Sequence, residues 1–347
     1  KRTKVVCQIV KYTDPLQVKI IQVLGHPDDA GVDISAMLTS NQVRQVFNAK
    51  VIKECKRIPA KVQKDELQNR KDLRNLLTVT IDGDDAKDFD DAISIVKNEK
   101  GYLLYVHIAD VSHYVKENSA LDQEAYLRGN SIYVCDRVVP MLPFDLSNGI
   151  CSLNPNVDRL TISCAMQVDE KGNLLAYNVF PSVIHSDKRC TYKKVNACLD
   201  GDEKALEEYT EVKDLLFTLE TLAKLLKKQS HHRGCIDFNT KEAKICVDKN
   251  GYPIDVQVLE RGFAEQMIEE CMILANVCVA HHMHVNKIPS MYRVHENPDP
   301  KKVATICTVA NSLRIPFDFY PDEVSASQIQ QFLESIKDEN AYEVLSM

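Results

Sequence analysis

The sequence predicts an α+β fold on three observations: short apolar strand segments cluster between residues 78 and 108, two long helical patterns follow residue 203, and the two kinds alternate irregularly. Thr78–Ile81 runs into an acid, and Ala92–Val96 and Tyr102–Ile108 are rich in β-branched and aromatic residues. Lys204–Ser230 carries Leu206, Tyr209, Val212, Leu216, Leu219, Ala223 and Leu226 at helical spacing, and Gly234 is placed to stop it. Phe263–Val285 is apolar over most of its surface, the pattern of a core helix, with two adjacent acids, Glu269 and Glu270, inside it. At the front, residues 1–24 read as a pair of strands from a small β-barrel or sheet, turned at Thr13-Asp14-Pro15. Residues 33–74 read as a helix followed by a mostly helical, basic connector.

The chain has 347 residues, enough for a large domain plus a smaller piece. No apolar run approaches the roughly 20 residues that span a bilayer, so no membrane association is expected. The basic, then apolar, start is broken by Gln8, Lys11 and Asp14 too early for a signal peptide. Twelve cysteines are scattered singly with no C-x-x-C pair, which points to a reducing compartment, the cytoplasm. Net charge is −7, at face value unfavourable for nucleic acid. Between Asn41 and Arg74, however, ten Lys/Arg stand against four acids, a local +6. On charge alone a solvated linker and a phosphate-binding stripe are equally good readings of that stretch.

Six aspartates fall within ten positions, Asp82, Asp84, Asp85, Asp88, Asp90 and Asp91, between apolar strands. Charges this dense repel, and apolar flanks imply partial burial, which raises the cost of each carboxylate. A divalent cation offsets both penalties, and carboxylate with phosphate oxygens suits magnesium or manganese. An EF-hand register fails: Ala86 falls on a ligand position, and no glycine follows Asp88 at the required place. Taken by itself, such a run is more often a solvated acidic loop.

The order of short motifs changes that balance. Val79-Thr80-Ile81-Asp82 through Asp88-Phe89-Asp90-Asp91-Ala92 resembles the signature of the RNB catalytic domain of ribonuclease II, ribonuclease R and their eukaryotic relatives. Val106-His107-Ile108-Ala109-Asp110, Arg128-Gly129-Asn130-Ser131-Ile132-Tyr133, Cys151-Ser152-Leu153-Asn154-Pro155, Asp158-Arg159-Leu160, Ile268-Glu269-Glu270 and Tyr292-Arg293-Val294-His295-Glu296 follow in the family's order. Residues 1–34 resemble the tail of a cold-shock domain, which makes the bacterial ribonuclease R branch the best likeness. The resemblance implies three parts: a cold-shock (OB-fold) tail at 1–31, a basic connector at 32–74, and an RNB catalytic domain at 75–347. It also implies that an arginine-bearing segment and an S1-type domain belong beyond Met347, so the chain reads as a fragment. Gly83 departs from the proline of many eukaryotic relatives without removing a ligand.

By the same resemblance, Asp82, Asp88, Asp90 and Asp91 are the catalytic and metal-binding acids, holding one or two Mg2+ (or Mn2+) ions. Asp82 and Asp91 chiefly bind metal, Asp88 completes the cage, and Asp90 holds a second ion or activates water. Asp84 and Asp85 are left as solvated loop residues. Tyr133, Phe238 and Glu270 are the implied RNA contacts: an aromatic near the 3′ end, a base-stacking clamp, and a reader of ribose hydroxyls. From the residues alone, Tyr133 would be core and Glu270 a buried acid satisfied by a neighbour. His281, His282 and His284 read as a solvated cluster, His231 and His232 as a helix terminus, and His107 and His113 as core. The implied function is processive 3′→5′ hydrolysis of single-stranded RNA with a free 3′ end to nucleoside 5′-monophosphates, an exoribonuclease II-type hydrolase. No obligate protein partner is indicated. The rival is an RNA-binding scaffold with an inactive catalytic domain, which the four intact aspartates disfavour.

Overall fold

Side-chain alternation through consecutive apolar runs determines a central sheet, whose one face is sealed by helices. The computed structural model describes residues 2–235, 242–259, 261–294, 296–317, 319–320, 323–337 and 342–345. Its two compact units are both discontinuous: Lys1–Gln63, Asp110–Ser152 and Glu242–Glu260 form one, and Lys64–Ala109, Leu153–Lys241 and Arg261–Met347 the other.

In the larger unit the strands are β1 (Lys71–Asp72), β2 (Val79–Asp82), β3 (Asp91–Asn98), β4 (Gly101–Ala109), β5 (Asp158–Val168), β6 (Leu174–His185) and β7 (Lys188–Thr191). They form a seven-stranded mixed sheet in the order β7-β2-β3-β4-β5-β6-β1. Its centre is antiparallel, and the outer pairs β7–β2 and β6–β1 are parallel. The β3–β4 hairpin needs a glycine, because Gly101 has φ +115° and a Cβ there would lie 2.4 Å from the Val168 carbonyl oxygen. Ile93, Ile95, Tyr102, Leu104, Val106, Cys164, Met166 and Val168 share the face packed by helices.

Those helices are α1 (Tyr192–Leu199), α2 (Lys213–His232) and α3 (Phe263–Val285). Leu215, Leu216, Leu219, Leu222 and Leu226 of α2, with Met267, Ile268, Cys271 and Cys278 of α3, complete the core. Each such side chain contributes roughly 1.5–3 kcal/mol on full burial.

The opposite face is buried but polar. Thr78 and Ser94 hydroxyls lie 2.7 Å apart, Ser94 Oγ is 3.0 Å from His107 Nε2, and His107 Nδ1 is 2.6 Å from Ser163 Oγ. Ser163 continues to Ser182 at 2.5 Å, and Ser182 to Thr161 at 2.7 Å. Every member is buried, so the chain of hydroxyls satisfies groups that would otherwise cost stability. The core placement expected for His107 holds, and burial pushes its pKa down to about 3.

Two expected helical stretches are interrupted. The pattern at 204–230 splits into Glu203–Glu208 and α2, because Tyr209 turns inward and its hydroxyl accepts the Thr191 N–H at 3.1 Å. Thr210 Oγ1 donates to the Leu206 and Glu207 carbonyls, which takes acceptors a continuing helix would need. The connector is also less helical than expected: Val32–Ser40 and Ala49–Cys55 are α-helices, Lys64–Leu67 is one 3-10 turn, and the rest is irregular.

In the smaller unit, Lys4–Lys11 and Gln17–Gly25 form the expected antiparallel hairpin, with Val10, Ile20, Ile21 and Val23 exposed. Glu124, on the helix Ala120–Arg128, is buried and accepts two hydrogen bonds from Arg44, at 2.9 and 2.7 Å, and one from Arg128 at 3.0 Å. Arg44, then Arg128, holds the Glu124 carboxyl below its usual range. Glu54 caps the same helix, accepting the Ala120 N–H at 2.8 Å. Arg44 is therefore committed to folding.

In the larger unit Arg70 donates to the Thr161 and Ser182 carbonyls, and Arg74 pairs with Asp72 and Asp158. Lys50, Lys53, Lys56, Arg57 and Lys61 are exposed. So the basic stretch is partly structural and partly solvated. No disulfide joins two cysteines among the described residues.

His107 generates a pH prediction. Buried neutral in the fold and titrating near 6.5 when unfolded, it stabilises the fold fully above pH 6.5, and that contribution is lost as pH falls toward 3. Between pH 7 and pH 5 the loss is about 2 kcal/mol. Urea unfolding at both pH values should show the wild type losing about 2 kcal/mol more than His107→Gln over this interval, the comparison cancelling other titrating groups such as Asp91. Equal pH slopes would contradict it.

Candidate functional site

The strand ends supply the site's frame. Asp82 is the last residue of β2 and Asp91 the first of β3, and β2 and β3 pair at Val79 and Ile93. The intervening connection is pinned at several points. Phe89 is buried between Asp88 and Asp90, and its carbonyl accepts the Leu153 N–H at 2.9 Å. The Asp90 carbonyl accepts the Ala109 N–H at 2.9 Å, and Ala86 N–H closes a turn onto Gly83 O at 3.2 Å. At the other end of β2, Asp187 accepts the Thr78 N–H at 2.8 Å and donates its own N–H to Thr78 O at 2.8 Å. The acids are thus carried on backbone that the sheet holds from both sides.

Their electrostatics is that of a self-repelling cluster. Burial, then Asp82 and Asp90, pushes the Asp91 carboxyl up to about 6. Asp82 is raised by burial, with Asp88 and Asp90 adding repulsion, while the Gly83 N–H, 3.3 Å from Asp82 Oδ1, and Arg189 act in the other direction. Asp90, more open at the surface, is raised by desolvation and then by Asp88. Asp84 and Asp85 are exposed, in keeping with a solvated turn. Among the described residues no three His, Cys, Asp or Glu side chains already close into a metal cage. What fits a divalent ion is the donor set: oxygen ligands only, close enough together that neighbouring carboxylates help raise Asp82, Asp90 and Asp91, a repulsion a cation would reverse.

The other expected contacts have different surroundings. Tyr133, on a two-residue strand paired with Val138–Val139, is 65% exposed, which argues against a core role. It belongs to the smaller unit, whereas the four aspartates belong to the larger. Phe238 lies outside the described residues. Glu270, on α3, accepts the Ser230 hydroxyl at 2.8 Å, and Ser230 in turn accepts Arg233 Nη2 at 3.0 Å. Burial raises its carboxyl, opposed by Ser230, Arg233 and Lys227. The acid is half-buried and partnered by Ser230, on the helix where the family resemblance places a ribose reader. Of the histidines, His281 Nδ1 meets the Tyr177 hydroxyl at 2.7 Å, and His231 pairs with Glu334.

Two neighbours went unread in the sequence. Tyr192, the first residue of α1, has its hydroxyl pKa raised by burial and then by Asp82 and Asp91, so it faces the acids. Arg189, on β7, reaches the connection: its Nη2 donates to Asp84 O at 2.7 Å, with Ala86 O at 3.3 Å and Gly83 O at 3.4 Å. Both arrive from about a hundred residues downstream through the parallel β7–β2 pairing, so no local pattern marks them.

The raised Asp91 carries a stability consequence. An acid whose pKa is raised in the fold stabilises it only when protonated, and that contribution is lost as pH rises through about 6. At pH 7.5, without divalent ions, Asp91→Asn should therefore stabilise the protein, by about 2 kcal/mol. Thermal melting in chelator should show a higher midpoint for the variant, and added Mg2+ should stabilise the wild type more than the variant. A lower midpoint for the metal-free variant would contradict the repulsion.

Residues 70–347 match the RNB domain and residues 1–48 a cold shock domain. Ribonuclease R of Thermotoga maritima is 46% identical over 342 residues, covering 96% of this chain and 48% of that protein. Ribonuclease R 1 of Lactococcus lactis is 42% identical over 337 residues, covering 97% of this chain and 41% of that protein. The chain thus spans about half the length of the relatives it matches or less. The structure of Mycoplasma genitalium RNase R in complex with ribose methylated single-stranded RNA superposes with a TM-score of 0.91 at 35% identity, covering 99% of this chain and 54% of that one. With a mixed sheet, packed helices, a preceding cold shock segment and a domain match over residues 70–347, the chain belongs to the RNB domain family.

Proposed function

We propose that the chain carries the hydrolytic centre of a 3′→5′ exoribonuclease acting on single-stranded RNA with a free 3′ end. The observation that carries this reading is the set Asp82, Asp88, Asp90 and Asp91 on one sheet-held connection, with Asp82, Asp88 and Asp91 half-buried and Asp90 more open, close enough to repel one another. Its relatives' name, ribonuclease R, and the single-stranded RNA in the Mycoplasma genitalium complex support the substrate class.

Mg2+ or Mn2+, one ion or two, would polarise the phosphodiester and acidify water there. Asp82 and Asp91 would hold it from the two strand ends, with Asp88 from the connection. Asp90, the more open acid, would hold a second ion or accept the proton of the attacking water at its carboxylate. The water oxygen bonds to the terminal phosphorus and the bond to the preceding 3′ oxygen breaks, releasing a nucleoside 5′-monophosphate and leaving a shortened RNA with a 3′ hydroxyl. Tyr133 and Phe238 would supply aromatic faces for bases, each stacked base being worth about 1–3 kcal/mol. Glu270 would accept a ribose hydroxyl, the group that tells RNA from DNA.

Among the described residues no helix is long and apolar enough to cross a membrane. With twelve cysteines scattered singly along the sequence and no C-x-x-C pair, a reducing cytoplasm is the location we propose.

The test is Asp90→Asn in the full-length protein, on a 3′-tailed oligoribonucleotide with Mg2+. Mononucleotide release should fall by at least about 100-fold, the scale of a lost acid–base group. RNA affinity should stay within a few-fold, because binding rests on phosphate contacts and stacking. Near-wild-type turnover would refute the assignment. RNA binding without product in the wild type would favour the inactive scaffold.

A further inference from the structure

We propose that Arg189 is the positioning residue of the acidic connection. By gathering the Gly83, Asp84 and Ala86 carbonyls with its guanidinium, it holds Asp82 and Asp88 ready to share a divalent cation. This rests on the proposed metal site and adds a residue to it.

Arg189 lies on β7 opposite Thr80 of β2, one register step from the Cys190–Ile81 pair and two from the Thr191–Asp82 pair. Its side chain therefore runs alongside the strand that ends in Asp82. Nη2 stands 2.7 Å from the Asp84 carbonyl oxygen, 3.3 Å from that of Ala86 and 3.4 Å from that of Gly83, the three carbonyls that curl around the first turn of the connection. The guanidinium carbon lies 5.2 Å from the centre of the Phe89 ring. Phe89 is buried and separates Asp88 from Asp90. One side chain thus touches both ends of the connection, the turn after Asp82 and the anchor after Asp88.

The contacts are to carbonyls and a ring, not a salt bridge with one carboxylate. A guanidinium can do this because its planar fork stacks on an aromatic face while donating at its edge, which a lysine ammonium cannot reproduce. Its Nε is buried without an acceptor among the described residues, a cost the fold carries while the Nη2 end stays on the turn.

Charge and position make opposite demands here. A fixed cation beside Asp82 competes with a metal ion, so if Arg189 acted by charge alone its removal would tighten metal binding. If it acts by holding the turn, its removal lets the repelling carboxylates spread and metal binding weakens. Outer-shell groups that orient ligands typically change metal affinity about 10–100-fold.

The experiment titrates Mn2+ alone into the wild-type chain, Asp91→Asn, Arg189→Met and Arg189→Lys, counting free Mn2+ by electron paramagnetic resonance, with a melting curve for each. Arg189→Met should weaken Mn2+ binding about 10-fold or more. Arg189→Lys, which keeps the charge without the fork, should also weaken it, by a smaller factor, with cooperative melting retained in both. Unchanged or tighter binding in the arginine variants, with the wild type binding and Asp91→Asn impaired, overturns the positioning role alone. Loss of cooperative melting in both overturns it too, since it would assign Arg189 to the sheet as a whole. No Mn2+ binding by the wild type, or wild-type affinity in Asp91→Asn, removes the metal site and this proposal with it.

Discussion

Four carboxylates confined between two central strands repel one another, and the surrounding structure limits how far they can move apart. Asp82 and Asp91 are fixed by β2 and β3. The Asp88–Asp90 segment is fixed by the buried Phe89 ring and by backbone hydrogen bonds to Leu153 and Ala109. Burial is the first cause of the raised Asp91 pKa and the neighbouring acids the second, so the cluster stores unfavourable energy that protons or metal can relieve. The apolar core of β3, β4, α2 and α3 bears the cost of holding it.

The sheet reconciles two demands by giving its faces different chemistry. One face is hydrocarbon against helices. The other is a buried line of hydroxyls joined through His107, where each donor has an acceptor and the imidazole stays neutral. A hydrogen-bonded polar layer of this kind fixes strand register more tightly than interchangeable methyl groups would, because a slip of one residue would strand several buried donors.

How legible this was depended on the range of the interaction. The hairpin at the front, the three strands around the acids and the helix at 263–285 are written in local periodicity, and the structure has them where the pattern placed them. The helical pattern at 204–230 misled at Tyr209, since the inward turn serves a hydrogen bond to Thr191, eighteen residues away in sequence. The basic stretch stayed open between two readings, and Arg44, Arg70 and Arg74 find partners at Glu124, Thr161 and Asp158 that no local charge count reveals. Motif order pointed to Asp82, Asp88, Asp90 and Asp91. Arg189 and Tyr192 stayed hidden because a parallel strand pairing brings them in from far along the chain.

If the acids are a strained pocket awaiting a cation, the ion should go to them and nowhere else of comparable affinity. Anomalous diffraction at the manganese edge, from crystals of the chain grown with Mn2+, measures this directly. The account predicts a peak among the Asp82, Asp88, Asp90 and Asp91 carboxylates, and its disappearance on Asp91→Asn substitution. A well-occupied Mn2+ elsewhere, with these four carboxylates free of metal, would contradict it.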